Sequence, residues 1–333
     1  MAEVPEVEIL VRDMNEQLPG RAIKEVRVTL PEVVRFPEPA QFTTLLAGQR
    51  FTHIVRRAKH MLCTLENNLL LEMHCMLHGT LRLYPTHVAP TVETLISYQL
   101  EDGAELHFLD RLGYARASAG PMLEVQQKLR LNDLGPEALD PHFSPELLLK
   151  VLHGRRGKLK STLLNQRILA GLGNRDADES FWHARINPLR IAGSLSSYEG
   201  EQLCAAILYV LREGINLRGT MTDLSGKRGA ARQRRCVYGQ GGQPCPRCKT
   251  PIIRTMLGQQ ITFFCPSCQP ETINKNAAHE MSGAARCGGQ VRGPTLPAGN
   301  PPVLSALRCF TLRFGSGAGW GHRAQRTPVV AEA

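Results

Sequence analysis

The chain has 333 residues, with 40 Lys and Arg against 30 Asp and Glu, a formal net charge of +10 and ten cysteines. That length suffices for more than one domain with a sizeable core, and the basic balance favours a polyanionic partner. No run of about 18 apolar residues is present, so no membrane-spanning helix is expected, and the acidic N-terminal stretch argues against a secretory leader.

Val7, Leu10, Val11, Met14 and Leu18 recur at helical spacing, which predicts a helix over 5–18 with Pro5 in its first turn and Pro19-Gly20 ending it. From Val26 the period becomes two (Val26, Val28, Leu30), and 49–110 reads as short strands broken by the turn signals Asn67-Asn68 and Asp102-Gly103. Sequential strands with tight turns predict an antiparallel β-sandwich fronted by a helix over 1–130. Over 131–235 the chain turns helical, with helices expected at 145–152, 159–168, 176–184 and 196–213. The first has Ser144 as N-cap and Pro145 in its first turn. Residues 217–235 are polar and basic and read as a mobile linker. A ribbon is expected over 236–270, and 271–333, rich in Gly, Pro, Ala and Arg, reads as a disordered tail. The fold class expected is therefore α+β.

Cys245-Pro-Arg-Cys248 and Cys265-Pro-Ser-Cys268, sixteen residues apart, place four thiolates on two knuckles, the donor set of one structural zinc. The strands 252–256 and 260–264 are expected to pair around Leu257-Gly258. Two redox CxxC motifs are the competing reading, disfavoured by the symmetry and by the other six cysteines, which are scattered as in a reduced cytosol. At the other end, Glu3 stands one residue from the amine that is freed when Met1 is removed. Glu3 and Glu6 also fit simple complementation of a helix dipole. Gly171-Leu-Gly173 permits a close backbone approach, Asn174 opens the next helix, and Lys158 and Lys160 lie upstream. Together these can take a phosphate, or form an ordinary capped turn.

Ala2–Glu8, Arg56-Arg57-Ala58-Lys59, Leu134–Leu139, Leu163–Glu179 and Val237-Tyr238-Gly239 through Cys268-Gln269 occur in one order and spacing. In this the chain resembles bacterial formamidopyrimidine-DNA glycosylase and its endonuclease VIII relatives over about residues 1–270. The resemblance implies an N-terminal β-sandwich with a leading helix, a helix–two-turns–helix domain and a C-terminal zinc ribbon that clamp damaged double-stranded DNA. It implies base excision through a terminal amine that forms a Schiff base, with strand nicking at the abasic site. The implied site residues are Ala2 as the amine, Glu3 as the acid, Glu6 as a second carboxylate and Lys59 near the lesion phosphate and as the fallback amine. Lys160, Asn174, Arg111 and Gln260 are the implied DNA contacts. One zinc, no membrane, a monomer and a bacterial-type, nucleoid-associated cytoplasmic setting complete the expectation.

The sequence departs from the family at specific points. The family nucleophile is a proline and here it is Ala2, a primary amine whose imine must be protonated to draw electrons. The arginine five residues before the third zinc cysteine is here Gln260, which lacks the bidentate grip on phosphate. The gap-filling loops, Met76-Leu77-His78 and Asp110-Arg111-Leu112-Gly113, lack the paired arginines and aromatic. Two other readings remain at this level: a damage-binding relative without lyase chemistry, and a zinc-ribbon scaffold of the translation-factor kind.

Overall fold

The computed structural model describes residues 2–271, so the expectation of a disordered tail lies outside the described residues. Helix α1 (Val4–Gln17) starts with Glu6 reaching back 2.9 Å to accept the Glu3 backbone N–H. It is followed by β1 (Ile23–Val28), β2 (Val34–Phe36), α2 (Pro39–Leu46), β3 (Phe51–Arg57), β4 (His60–Leu65), β5 (Leu69–His74), β6 (Thr80–Tyr84), β7 (Thr94–Leu100), β8 (Glu105–Leu109), β9 (Arg116–Pro121) and α3 (Met122–Lys128). The strands form two sheets, β1-β7-β8-β6 and β2-β9-β5-β4-β3. All pairings are antiparallel except β2 with β9, which is parallel. Val7, Leu10 and Met14 of α1 pack with Phe42, Phe51, Ile54, Leu71, Tyr98, Leu106 and Phe108 in one apolar core. The sandwich expected from the alternating pattern is thus present. Helices α2 and α3 are not legible in the sequence, because each spans only about two turns, too short to show a helical period.

The helical part holds α4 (Pro145–Leu152), capped by Ser144 as expected, α5 (Leu159–Leu163), α6 (Asn174–Ala184) and α7 (Ser197–Asn216). Helix α5 is half the length its spacing predicted: the chain leaves the helix at Leu164 and turns through 165–173 toward α1. These helices share a second core that includes Val4, so α1 carries its first turn in one core and the rest in the other. The zinc segment forms the hairpin β10 (Ile253–Leu257) and β11 (Gln260–Phe264), close to the predicted strands.

Residues 217–235 are not a free linker. Leu224 is fully buried in the sandwich core, Arg218 bridges Asp13 and Asp223, and Thr220 is tied to Glu6. Their polar composition suggested exposure, but the polar groups are satisfied by buried carboxylates instead of water. No helix of the described residues is long and apolar enough to cross a membrane.

Candidate active site and zinc centre

The site is built where the start of α1 meets the start of α6. The carboxylate of Glu3 accepts the backbone N–H groups of Arg175 and Asp176, each at 3.0 Å, the free donors of the first turn of α6. Gly173 makes this possible, since a Cβ there would lie 2.1 Å from Glu3 Cδ. Gly171, at φ +90°, likewise runs against Val4. The glycine pair and the helix N-terminus, which the sequence left open between a phosphate site and an ordinary capped turn, are therefore occupied by α1 and its carboxylate.

Arg175 fills the space beside Glu3. Its Nη1 and Nη2 donate to the two oxygens of Glu6 at 3.0 and 2.9 Å, and its Nε donates to Asp176 Oδ1 at 2.8 Å. The Thr220 backbone N–H closes on Glu6 Oε1 at 2.9 Å. Glu3, Glu6, Arg175 and Asp176 are all buried. Burial alone would raise the Glu3 pKa, but Arg175, then Lys59, then hydrogen bonds from Asp176 outweigh it and hold the group at about 2. Glu6 is lowered for the same reason, burial being overcome by its Arg175 pair. Asp176 goes the other way: burial, with Glu3 and Glu6 adding repulsion, pushes it well above the usual carboxylate range.

Lys59 sits in the β3–β4 turn, half-buried, with Nζ 3.4 Å from Leu172 O and close enough to act on Glu3. The turn is held from outside. Glu137 accepts the Ala58 N–H at 2.9 Å and Arg57 at 2.8 Å, and it also pairs with Arg56. Two motifs that are separate in the sequence, 56–59 and 134–139, are one structural unit.

Lys160 is a correction. Its side chain is fully buried, and its ammonium contacts Asp178 Oδ1 at 2.6 Å, Ile261 O at 3.0 Å and Thr262 Oγ1 at 3.0 Å. Two N–H bonds go to the hairpin and the charge is paired with Asp178, so the ammonium is sealed from solvent and from any phosphate. The lysine bolts the helical part to the zinc hairpin. Asn174 does open α6, but its Nδ2 donates to Ile261 O at 3.1 Å, and its Oδ1 has no partner among the described residues. Arg111 is exposed on the β8–β9 loop, which is shaped by Asp110 accepting the N–H groups of Leu112, Tyr114 and Ala115. Gln260 is exposed at the start of β11. Met76, at φ +49°, turns the β5–β6 loop and leaves Leu77 and His78 exposed. Its N–H is accepted by His74 Nδ1 at 3.0 Å.

The four cysteine sulfurs lie within 4.8 Å of one another, with Cys245–Cys268 at 3.9 Å and Cys248–Cys265 at 3.4 Å. Tetrahedral zinc with Zn–S near 2.3 Å requires sulfurs about 3.8 Å apart, so the set fits one structural zinc. Trp182 Nε1 donates to Cys245 Sγ at 3.4 Å, a hydrogen bond that orients a ligand from outside the metal shell. Further bonds attach the ribbon to α6. Phe263 N–H donates to Asp178 Oδ2 at 3.0 Å, and Glu179 accepts the N–H groups of Cys236, Val237 and Tyr238.

Sequence reasoning missed Arg175, Asp176, Thr220 and Glu179. Consecutive charges on a short helix read as a solvated face, and no local signal marks them as buried.

The family model for the formamidopyrimidine-DNA glycosylase N-terminal domain matches residues 1–116. The model for the H2TH domain of the same enzymes matches 134–225, and a zinc finger found in FPG and IleRS matches 242–270. A formamidopyrimidine-DNA glycosylase of Pelotomaculum thermopropionicum is 36% identical over 273 residues, covering 81% of this chain and 99% of the relative. One of Moorella thermoacetica is 39% identical over 259 residues, covering 76% and 94%. Among solved structures, the Lactococcus lactis Fpg complex with abasic-site DNA superposes with a TM-score of 0.75 at 26% identity, covering 80% of this chain and 99% of that one. The MutM (Fpg) protein of Thermus thermophilus superposes with 0.73 at 32% identity, covering 81% and 100%.

Proposed function

Since this chain belongs to the formamidopyrimidine-DNA glycosylase family, we propose that its reaction centre is the α-amine of Ala2, freed by removal of Met1 and set beside the sealed carboxylate of Glu3. The chain is a DNA N-glycosylase for oxidised bases, and AP lyase activity is typical of the family. One structural zinc holds its ribbon.

In the proposed cycle the damaged nucleotide is turned out of the duplex. The neutral Ala2 amine attacks C1′ while the C1′–base bond breaks, and the base leaves with its bonding electrons and a proton. Cleavage of the bond from C1′ to the ring oxygen then gives the imine, and the ring oxygen takes a proton. The protonated imine accepts the electrons of a C2′–H bond, and β- and δ-elimination expel the two phosphates. Glu3 is the proton carrier. Held at about 2, it rests ionised and acts as an acid only after a proton has been delivered to it. The observation that carries this reading is that carboxylate, fixed by two helix amides next to residue 2.

Lys59 is the second amine within the site. Arg111 and Gln260, both exposed, and Asn174, through its second amide N–H, are the proposed DNA contacts, and Lys160 is withdrawn from that set. The working division of the chain is 1–130, 131–235 and 236–270. Action as a monomer in a bacterial-type cytoplasm belongs to the same proposal.

The test is borohydride trapping on a duplex with one abasic site, followed by mass spectrometry of the adducted peptide. An adduct on Ala2 is expected. An adduct on Lys59 moves the nucleophile, and tight binding with no adduct removes the lyase step.

A further inference from the structure

Glu3 is fully buried, yet the chemistry needs protons to reach it and leave it. Beside it lies a cavity of about 160 Å³, large enough for several waters. Asp176 and Glu6 line that cavity, and Glu3 does not. Arg175 and two carboxyls, Asp176 and Glu6, therefore stand between the sealed carboxylate and the cavity, and only the carboxyls can carry a proton.

Their bonding separates them. Glu6 receives both Arg175 amino groups, the Thr220 N–H and hydroxyl, and the Glu3 N–H. Its oxygens are saturated as an ionised group, so it is a poor place for a proton. Among the described residues Asp176 is served only by the side chain of Arg175, through Nε at 2.8 Å and Nη2 at 3.4 Å. The helix amides that would favour its ionised form are committed to Glu3. Three buried carboxyls thus face one guanidinium, with half-buried Lys59 on the far side of Glu3. Full ionisation would leave uncompensated negative charge away from water, so the cluster retains a proton, and the carboxyl with fewest donors is where it rests. Glu3 Oε2 accepts the Asp176 backbone N–H at 3.0 Å, and both carboxyls lie against the same Arg175 guanidinium, which makes the two side chains neighbours.

The other charged groups around the cavity come from α6, α7 and the 231–236 segment. They are Glu179, whose oxygens are taken by backbone N–H groups, His183, Glu213, Arg234 and Arg235, with the Cys236 thiol. None of them is hydrogen-bonded to Glu3.

We propose that Asp176 is a positioning residue that relays protons between the cavity and Glu3. The step balances simply. The Asp176 O–H proton passes to the Glu3 carboxylate, the Asp176 carboxylate left behind pairs with Arg175, and water in the cavity reprotonates Asp176. Glu3 then gives its proton to the ring oxygen of the sugar. This rests on the reading of Glu3 as the proton carrier.

The experiment uses the full chain and an abasic-site duplex, with single-turnover nicking followed from pH 5 to 9. Asp176→Asn keeps the shape and removes the exchangeable carboxyl proton. It is expected to slow nicking at neutral pH about tenfold or more and to move the basic limb of the profile about one pH unit toward acid. Affinity for a tetrahydrofuran-containing duplex should stay within about twofold, which shows that the variant is folded and binds. Asp176→Glu, which retains a carboxyl, is expected to restore the position of the limb. An Asp176→Asn profile that keeps its shape, at whatever rate, overturns the relay. A Glu3→Gln variant that nicks normally overturns the role of Glu3 itself and the relay with it.

Discussion

In the β-sandwich, the residues that meet between the sheets are apolar: Leu71 and Met73 from β5, Leu106 and Phe108 from β8, Ile54 from β3. Helix α6 is buried just as deeply, but beside Ala177, Phe181 and Trp182 its buried residues are polar: Asn174, Arg175, Asp176, Asp178, Glu179 and Ser180. The sandwich coheres through non-directional burial, in which many partners will serve. The helix coheres through directed bonds to particular distant groups: Glu3 and Glu6 at one end, Lys160, the hairpin amides and the 236–238 backbone along its length. One helix therefore joins the Glu3–Glu6 carboxylate cluster to the zinc ribbon, and its partners cannot be exchanged one at a time.

The largest test of that contrast is zinc removal. Structural zinc contributes roughly 10–16 kcal/mol of apparent binding energy in small zinc modules, so chelation should unfold the ribbon. DNA affinity should fall on the order of 100-fold while the β-sheet circular dichroism of the sandwich persists. Loss of both signals together would mean that the two regions do not stand on separate footings.

A smaller perturbation is Lys160→Met. It leaves Asp178 buried without its cation and should cost about 3–5 kcal/mol in urea unfolding. Adding Asp178→Leu should recover much of the loss, because an apolar pair needs no mutual charge. A phosphate contact would behave otherwise: the salt dependence of DNA binding would fall by about one counterion with little change in stability. Leu71→Ala, in the apolar core, should cost about 2–5 kcal/mol and leave nicking rates unchanged.

Leu71 and the Lys160–Asp178 pair also mark what could be read in the sequence. Leu71 is legible because it sits in a short apolar run, Leu69–Leu71, that follows the turn signal Asn67-Asn68, the mark of a buried strand. The zinc cysteines are legible because tetrahedral thiolate coordination fixes their spacing. Lys160 and Asp178 are charged residues that any local rule places in water, and only contacts with Ile261 and Thr262, about a hundred residues away, reverse that. Residues 217–235 mislead for the same reason, since the carboxylates that satisfy Arg218 and Thr220 belong to α1. Of the site, Glu3 could be found from its place beside the terminal amine. Arg175 and Asp176 could not, since helical spacing marks only the apolar face.

The polar region should also respond to pH where the sandwich does not. The Glu3 pKa is depressed from 4.5 to about 2. Its contribution to stability is therefore complete above the usual carboxylate range and is lost as pH falls from about 4.5 toward 2. Glu3→Gln should destabilise the protein at neutral pH by at least about 1 kcal/mol, and the gap to the parent should close across that window. A gap that stays constant with pH would mean that Glu3 is not ionised in the folded protein.

The smallest effect expected is at the exposed end of the ribbon hairpin. Gln260 is neutral and solvent-facing at the start of β11, on an element that α6 and the zinc hold in place. Gln260→Arg adds a planar two-pronged donor there without disturbing any buried group. Charge-assisted bonds to phosphate are worth more than neutral ones, but exposure and side-chain entropy discount them to about 1 kcal/mol, or roughly fivefold in affinity. The salt slope of binding to an abasic-site duplex should steepen by about one ion. Gln260→Lys should steepen the slope equally and gain less affinity, because a point charge lacks the fork geometry. If neither variant changes the slope, position 260 does not meet the DNA backbone. The ribbon's part in the protein would then be to brace α6, through the same bonds that bury Lys160 and Asp178.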